Sequence, residues 1–276
     1  MVKIISIDVG IKNLAYCCLE STVSGIDIID WDIINIMENM NPICCNTFRN
    51  KPCSKVASYS IKDKTKINTI NTINTVDAIN TNDSTIYFCN KKTCIKKLEA
   101  LYTKKNIKTY KKKTCKNTSI QELCVKLLTK LQQLQHKLLQ VDSVIIENQP
   151  VLKNPTMKSV QMILYTFFLD HGLMNDDSPI IDIILFSPRN KLKIYEGPVV
   201  ECTLKNKYSK RKFLSIEYTK HFIKDNVPWY TFFLSHSKKD DLADCYMQGL
   251  YFLKYKDKTG QSINKIKHKT TKSLEK

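Results

Sequence analysis

Residues 2–9 read VKIISIDV, and this stretch decides the fold. Five of its eight residues are β-branched, which is typical of a strand, and the turn residue Gly10 follows directly. Residues 13–20 (NLAYCCLE) and 26–36 (IDIIDWDIINI) are further largely apolar runs. Because strands joined by short turns pair antiparallel, the sequence predicts a three-stranded meander at the start of the chain.

Helices and strands alternate from residue 119 onward. Ser119 and Glu122 form a capping box, and leucines follow at helical spacing. The pattern then predicts a strand at 143–147, a helix at 156–170, a strand at 180–186, and helices at 209–225 and 238–255. Together with the meander, these elements predict an α/β domain over residues 1–40 and 118–255, with a mixed five-stranded sheet flanked by helices.

Residues 41–117 differ in composition from their surroundings. They contain a near-repeat, INTINTINT at 67–75, and a block at 91–116 with eleven lysines and a single acid. We interpret 41–117 as an insertion rich in cysteine and lysine, with a disordered loop at about 61–85. The lysine block is either an arm that follows DNA or a solvated linker, and residues 256–276 are predicted to form a basic, disordered tail.

The composition excludes several classes of protein. With 276 residues, of which 42% are hydrophobic, the chain has enough apolar material for a core. No apolar run reaches the ~18 residues of a membrane span, and the first one is interrupted by Asp8, unlike a signal peptide. We therefore expect a soluble, intracellular protein with no membrane partner and no small-molecule cofactor.

The net charge of +18 is compatible with binding to phosphate backbones. Only three of the 44 basic residues are arginine, and lysine is abundant together with asparagine and isoleucine. An AT-rich gene would produce the same bias, so the charge alone is weak support for nucleic-acid binding.

Acidic residues occupy three positions where an element ends or begins. Asp8 and Glu147 follow buried strands, and residues 240–244 (DDLAD) open the last helix. Each position also has a simple structural explanation. Asp8 would be a turn residue, Glu147 would be solvated at a strand end, and the acids at 240–244 would interact favourably with the helix dipole. If the first and fourth strands are neighbours and the helix packs across their ends, the carboxylates meet. Two Mg²⁺ ions would relieve their repulsion and support phosphodiester cleavage.

Three motifs resemble those of the RuvC-type Holliday junction resolvases. More narrowly, they are similar to the enzymes of poxviruses and other large nucleocytoplasmic DNA viruses, and to those of fungal mitochondria. The motifs are ISIDVGIKN at 5–13, IIENQ at 145–149 and KKDDLAD at 238–244. The resemblance implies a ribonuclease-H-like fold and a homodimer that nicks four-way DNA junctions in pairs, using Mg²⁺ or, as a substitute, Mn²⁺.

The resemblance also implies site residues. The catalytic metal ligands would be Asp8, Glu147, Asp241 and Asp244, with the choice between Asp240 and Asp241 left open. Candidate DNA-binding residues are Lys12, Gln149, Lys207, Lys210, Arg211, Lys212, Lys238 and Lys239. A solvated helix end or a turn amide is the alternative explanation for several of them. A viral protein of this kind would act in DNA recombination or replication, at a cytoplasmic replication site or in the nucleus of the host cell.

Because we expect no signal peptide, the eleven cysteines indicate reduced thiols or metal ligands rather than disulfides. Within the insertion, Cys89 and Cys94 have the spacing of a zinc-ligand pair, and Cys45 and Cys53 form a looser one. These four cysteines are our candidate structural zinc ligands, with Cys44 as a substitute and Cys115 as a further candidate. Unliganded thiols are the alternative.

Two other functions remain open at this point. One is a nuclease of the same fold that acts on flaps, replication forks or RNA–DNA hybrids. The other is a non-catalytic, zinc-containing nucleic-acid-binding protein whose acids are structural.

Overall fold

The computed structural model describes residues 1–62, 85–152 and 154–255. The predicted tail at 256–276 and most of the predicted loop lie outside these residues. The chain divides into two compact units. The sheet unit comprises Met1–Ile36 and the chain from Ser119 onward, and the insertion unit comprises Met37–Thr118. Among the helices of the described ranges, none is long and apolar enough to cross a membrane.

In chain order, the strands are β1 (Val2–Asp8), β2 (Asn13–Thr22), β3 (Gly25–Asn35), β4 (Thr47–Phe48), β5 (Lys51–Pro52), β6 (Tyr59–Lys62), β7 (Thr85–Phe88), β8 (Ile107–Thr109), β9 (Ser143–Glu147) and β10 (Asp182–Phe186). The α-helices are α1 (Lys92–Leu101), α2 (Ile120–Leu138), α3 (Pro155–Phe168), α4 (Lys207–Ile223), α5 (Val227–Ser235) and α6 (Lys239–Tyr255). Short 3₁₀ helices cover Lys104–Asn106 and Pro188–Ile194, and a π-helical turn covers Leu169–Leu173.

The sheet unit contains a mixed five-stranded sheet in the order β10-β9-β1-β2-β3. β1, β2 and β3 pair antiparallel, as the short turns predict, whereas β9 and β10 run parallel to β1. This confirms the predicted mixed five-stranded sheet with flanking helices. Since β1 lies at the centre, Ile4, Ile5 and Ile7 are fully buried.

Helix α6 is fixed against the sheet by polar and small residues. The buried amide of Gln248 donates hydrogen bonds to Ser6 Oγ and to the carbonyl of Ile7. A side chain at Gly249 would clash, because an added Cβ would lie 2.7 Å from Leu19 Cδ1. The helix therefore approaches the sheet closely at this point, and its N-terminal turn is held in a defined position.

An aromatic cluster holds the other end of this interface. Trp31 of β3 stacks on Phe233 with ring centroids 5.3 Å apart, and its indole N–H donates to the carbonyl of Leu242 at 3.1 Å. Phe233 belongs to α5, a short helix with Pro228 in its first turn. The sequence patterns did not predict this helix. Burying such large rings supplies much of the apolar stabilisation of this layer.

Helix α2 begins where the capping box predicts. The Ser119 side chain accepts a hydrogen bond from the backbone N–H of Glu122. Four leucines of the predicted periodic series are buried, while Leu134 is half-buried. The burial confirms the amphipathic character of this helix.

The insertion unit contains a small sheet in the order β7-β6-β8, the two-stranded β4-β5 hairpin and helix α1. Its core contains Phe88 and Leu98 together with several cysteines. The lysine block is therefore folded in part, since α1 and β8 lie within it.

Candidate functional site

Two predicted acids meet at the carboxyl edge of the sheet. β1 and β9 are parallel, and Ile7 lies opposite Ile146. The next residues, Asp8 and Glu147, are thus side by side, and their carboxyl groups share a hydrogen bond. The parallel register of two buried strands is what brings them together.

Helix α6 supplies a third carboxylate, Asp244, and the 3₁₀ helix at Pro188–Ile194 supplies a lysine. Lys191 Nζ lies 3.0 Å from Asp244 Oδ1, and the side chain of this lysine is only 6% exposed. Ser215 of α4 donates a hydrogen bond to the same oxygen at 2.9 Å. Asp244 is therefore oriented by two neighbours as well as by its own helix.

The crowding of negative charge shifts the pKa values of Asp8 and Lys191. Burial raises the pKa of Asp8 well above its usual range, and the hydrogen bond and charge of Glu147 and the charge of Asp244 raise it further. Burial lowers the pKa of Lys191, but the surrounding carboxylates outweigh this and raise it overall. One ammonium group thus only partly neutralises the site, which has the donor chemistry that a hard divalent cation requires.

Asp240 and Asp241 face a different cation. Lys212 of α4 forms an ion pair with Asp240 and lies 3.4 Å from Asp241 Oδ1. Although burial opposes it, the contact with Lys212 lowers the pKa of Asp240. Burial and the charge of Asp240 raise the pKa of Asp241. Asp240 is therefore the better neutralised of the two.

The predicted DNA-binding residues fall into two groups. Lys12, Lys207, Lys210 and Arg211 are exposed. Lys238 is exposed as well, and its Nζ lies 3.8 Å from Asp241 Oδ2. The second group is half-buried: Lys212 pairs with the acids, Lys239 donates to the carbonyl of His236, and the backbone N–H of Gln149 donates to Gln161. Lys212 thus orients the acids of α6 in this structure.

Four thiols converge in the insertion unit. The sulfur atoms of Cys44, Cys53, Cys89 and Cys94 lie within 4.8 Å of one another. In the part of the chain that the structure describes, this is the one group of three or more cysteine, histidine or acidic residues packed so closely. The three carboxylates of the sheet unit, with Lys191 beside them, do not meet this limit. The thiol cluster could hold a metal ion.

The structure groups Cys44, our substitute candidate, with the other three thiols in place of Cys45. The chain is extended here, with Ile43 bridged to Val56, so consecutive side chains point in opposite directions. Cys44 is buried, whereas Cys45 is exposed. Cys115 is half-buried and lies outside the group.

Hydrogen bonds activate one of the thiols. Asn46 Nδ2 donates to Cys94 Sγ at 3.3 Å, and the sulfur atoms of Cys53 and Cys89 are 3.7 Å apart. Burial raises the pKa of Cys94, but the hydrogen bonds from Asn46 and the other thiols outweigh it and lower the pKa to about 7. A thiolate is the form that binds soft metal ions, so the cluster fits Zn²⁺.

Three functional residues were not identified from the sequence. Lys191 and Ser215 contact the acids, and Asn46 contacts a thiol, each through packing of distant segments. The motif SPRNKLKI that contains Lys191 gave no signal beyond a cluster of charge in a lysine-rich chain.

The chain matches one family model and is similar to a viral protein. The family model described as "Mitochondrial resolvase Ydc2 / RNA splicing MRS1" matches residues 4–151. Protein L451 of Acanthamoeba polyphaga mimivirus is 33% identical over 325 residues, covering 96% of this chain and 78% of that protein.

Two solved structures are also similar. Fowlpox virus resolvase in complex with Holliday junction DNA has a TM-score of 0.44 at 15% identity, covering 91% of this chain and 97% of that chain. The yeast mitochondrial Holliday junction resolvase Ydc2 has a TM-score of 0.46 at 12% identity, covering 92% and 80%.

Proposed function

Because the chain belongs to the mitochondrial resolvase Ydc2/RNA splicing MRS1 family, we propose that it is a metal-dependent endonuclease that resolves four-way and other branched DNA. Membership in this family supports a junction-resolving nuclease function. The observation that carries the proposal is the convergence of Asp8, Glu147 and Asp244 around Lys191, since a cluster of partly neutralised carboxylates is suited to binding a divalent cation.

We assign Asp8, Glu147 and Asp244 to ion binding, with Asp241 as the fourth carboxylate. Asp241 precedes Asp244 by three residues, so both lie on one face of α6, and Asp240 is the acid that Lys212 neutralises. Mg²⁺ ions, two per site, with Mn²⁺ as a substitute, would supply an activated water and charge stabilisation for phosphodiester hydrolysis.

The chain's own residues prepare the site for this chemistry. Because the pKa of Asp8 is raised, a divalent cation would compete with a proton for this carboxyl. Lys191 Nζ keeps the carboxylates together before an ion enters, and Ser215 fixes the orientation of Asp244. The exposed Lys207, Lys210 and Arg211 on α4 are candidate contacts for the phosphates of the substrate.

Paired nicking on opposite strands requires two active sites. A homodimer supplies them, and we include it in the proposal. The substrate is branched DNA in viral recombination or replication, since the mimivirus protein is a relative across nearly the whole chain.

The thiol cluster has a structural role in this proposal. Cys44, Cys53, Cys89 and Cys94 offer four sulfur ligands, which is the composition of a closed, structural zinc site. The unit around it has a small core, and a bound metal ion stabilises such a domain directly.

A nucleic-acid-binding protein without nuclease activity is the second candidate. The family description includes RNA splicing. In addition, Lys191 provides a countercharge for the acids without an ion, so the cluster is also consistent with a structural role.

Cleavage of a labelled four-way DNA junction in Mg²⁺ separates the two candidates. We expect paired nicks from the parent protein, and a loss of about 100-fold or more in Asp8→Asn and in Glu147→Gln, since even indirect metal contacts are worth 10–100-fold. Junction binding should persist in both variants. The matched controls Asp176→Asn and Glu201→Gln change exposed acids of the same unit. Wild-type cleavage rates in Asp8→Asn and Glu147→Gln would refute the nuclease proposal.

A further inference from the structure

The positive charge of the protein is unevenly divided between its units. The described part of the insertion unit, residues 37–62 and 85–118, contains fifteen basic residues and two acids, a net charge of +13. The described part of the sheet unit contains nineteen basic and nineteen acidic residues and is formally neutral. Codon bias affects the whole gene, so it does not explain why, among the described residues, the excess lies in one unit.

The lysines of the insertion unit are held outward by its core. On α1, Cys94 and Leu98 face inward, and Lys92, Lys96 and Lys97 are exposed. Beyond this helix, Lys104, Lys105, Lys108, Lys111, Lys112 and Lys116 are exposed as well. With Glu38 and Glu99 as the acids of the described part, the unit cannot balance this charge internally. A surface of this kind attracts a polyanion.

The β4-β5 hairpin adds an exposed aromatic ring to this surface. Arg49 and Asn50 form its tip with φ of 49° and 60°, and the Phe48 ring is 57% exposed. Arg49 Cζ lies 5.4 Å, and Lys91 Nζ 5.9 Å, from the centroid of this ring. An aromatic ring flanked by cations is the arrangement on which proteins stack unpaired bases.

The thiol cluster anchors the hairpin. The hairpin lies between Cys44 and Cys53 in the sequence, and the backbone N–H of Cys53 donates to the carbonyl of Asn46 across its base. Both ends of the loop are thus tied to the cluster, so the exposed ring is presented by a rigid base.

We propose that the insertion unit is the principal DNA-binding module of the chain. Its lysines contact backbone phosphates, and Phe48 stacks on an unpaired base such as those exposed at a branch point. The inference rests on the proposed function in taking DNA as the ligand, but it concerns binding and makes no use of the catalytic acids.

The phosphate contacts are tested by salt-dependent binding to a four-way junction without Mg²⁺ or Mn²⁺, and without a chelator, which would remove zinc from the thiol cluster. A Lys92→Gln/Lys96→Gln/Lys97→Gln variant should bind about 10-fold or more weakly at physiological salt, with a shallower salt slope by about 0.9 for each lost contact. The matched control is Lys3→Gln/Lys137→Gln/Lys224→Gln, three exposed lysines of the sheet unit, and its affinity should not change. Equal losses in the two variants, or no loss in the first, would overturn the inference.

The rate of cleavage at saturating protein distinguishes a loss of DNA affinity from a loss of the proposed nuclease activity. The α1 variant should cut at the parental rate once the junction is fully bound. If the parent protein does not cut but the α1 lysines still control binding, the nuclease proposal fails and the binding module stands. Unchanged zinc content and melting temperature in the variant show that its unit is folded.

The role of Phe48 is tested by selectivity. Phe48→Ala should weaken binding to a four-way junction or to single-stranded DNA by about 5-fold or more and leave duplex affinity unchanged, because only unpaired bases offer a free face. Phe48→Trp should retain the parental selectivity. An equal loss on duplex and junction, or tighter binding to single-stranded RNA than to DNA of the same sequence, contradicts the assignment.

Discussion

The sheet unit and the insertion unit each bring potential metal ligands close together. The repulsion between these ligand groups is relieved differently in the two units. In the sheet unit, carboxylates from β1, β9 and α6 lie around the ammonium group of Lys191, which offsets part of their charge. In the insertion unit, four thiols pack within 4.8 Å, since a protonated thiol carries no charge. The carboxylates are suited to the exchangeable catalytic cation that we propose, whereas the four thiols are suited to the closed structural metal site that we propose.

The two units also differ in net charge. Among the described residues, the formally neutral sheet unit contains the clustered acids, and the strongly basic insertion unit contains the thiols.

The largest expected effect is the loss of the thiol site. Cys44→Ser/Cys94→Ser should abolish zinc binding and unfold the insertion unit, because structural zinc supplies roughly 10–16 kcal/mol in zinc-finger peptides. Metal analysis and limited proteolysis of Met37–Thr118 measure these losses. Cys45→Ser is the matched control, since Cys45 is the exposed neighbour, and it should retain about one zinc per chain. Zinc lost in Cys45→Ser but kept in the double variant would reverse our ligand assignment.

The second-largest expected effect follows from removing Lys191, the positively charged residue of the acidic site. Without added Mg²⁺, Lys191→Met should lower the free energy of unfolding by about 3–5 kcal/mol, the usual result of removing one partner from a buried ion pair. Mg²⁺ should restore much of it. Denaturant unfolding with and without Mg²⁺ measures both changes, and Lys193→Met, an exposed lysine two residues away, is the control.

The loss in Lys191→Met should also depend on pH. The folded-state pKa of Asp8 is raised, so the folded state binds more protons than the unfolded state and becomes less stable as pH rises through that pKa. Without Lys191 nothing offsets the ionised carboxyl, and the deficit should grow from acidic to alkaline pH. A deficit that shrinks with rising pH would show that Lys191 does not neutralise these acids.

The smallest effect distinguishes the two neighbouring acids of α6. Asp241→Asn should slow junction cleavage by about 10–100-fold, while Asp240→Asn, which removes the partner of Lys212, should cost only a few-fold. Single-turnover cleavage of the four-way junction compares them directly. The opposite ranking would assign the ligand role to Asp240.

The sequence predicted the elements of the sheet unit better than its contacts. Hydrophobic patterns identified β1, β9 and α6, and so placed Asp8 and Glu147 at strand ends and Asp244 on the last helix. Helix α5 was missed because it is short and joined closely to its neighbours. Lys191 was missed because its role depends on packing between segments far apart in the chain, which no local pattern records.

In the insertion unit, composition concealed the structure. The lysine block was interpreted as an arm or linker, yet two inward-facing residues, Cys94 and Leu98, are enough to form α1 within it. Spacing could not distinguish Cys44 from Cys45, since adjacent residues differ only in the side of the extended chain on which they lie.

The central claim is that Asp8, Glu147 and Asp244 bind a catalytic divalent cation. Anomalous diffraction from Mn²⁺-soaked crystals tests it most directly. We predict a metal peak about 2.0–2.2 Å from oxygen atoms of these three carboxylates, with Lys191 Nζ withdrawn from Asp244. Crystals in which Lys191 keeps its contact with Asp244 and no metal peak lies among the three acids would contradict the account.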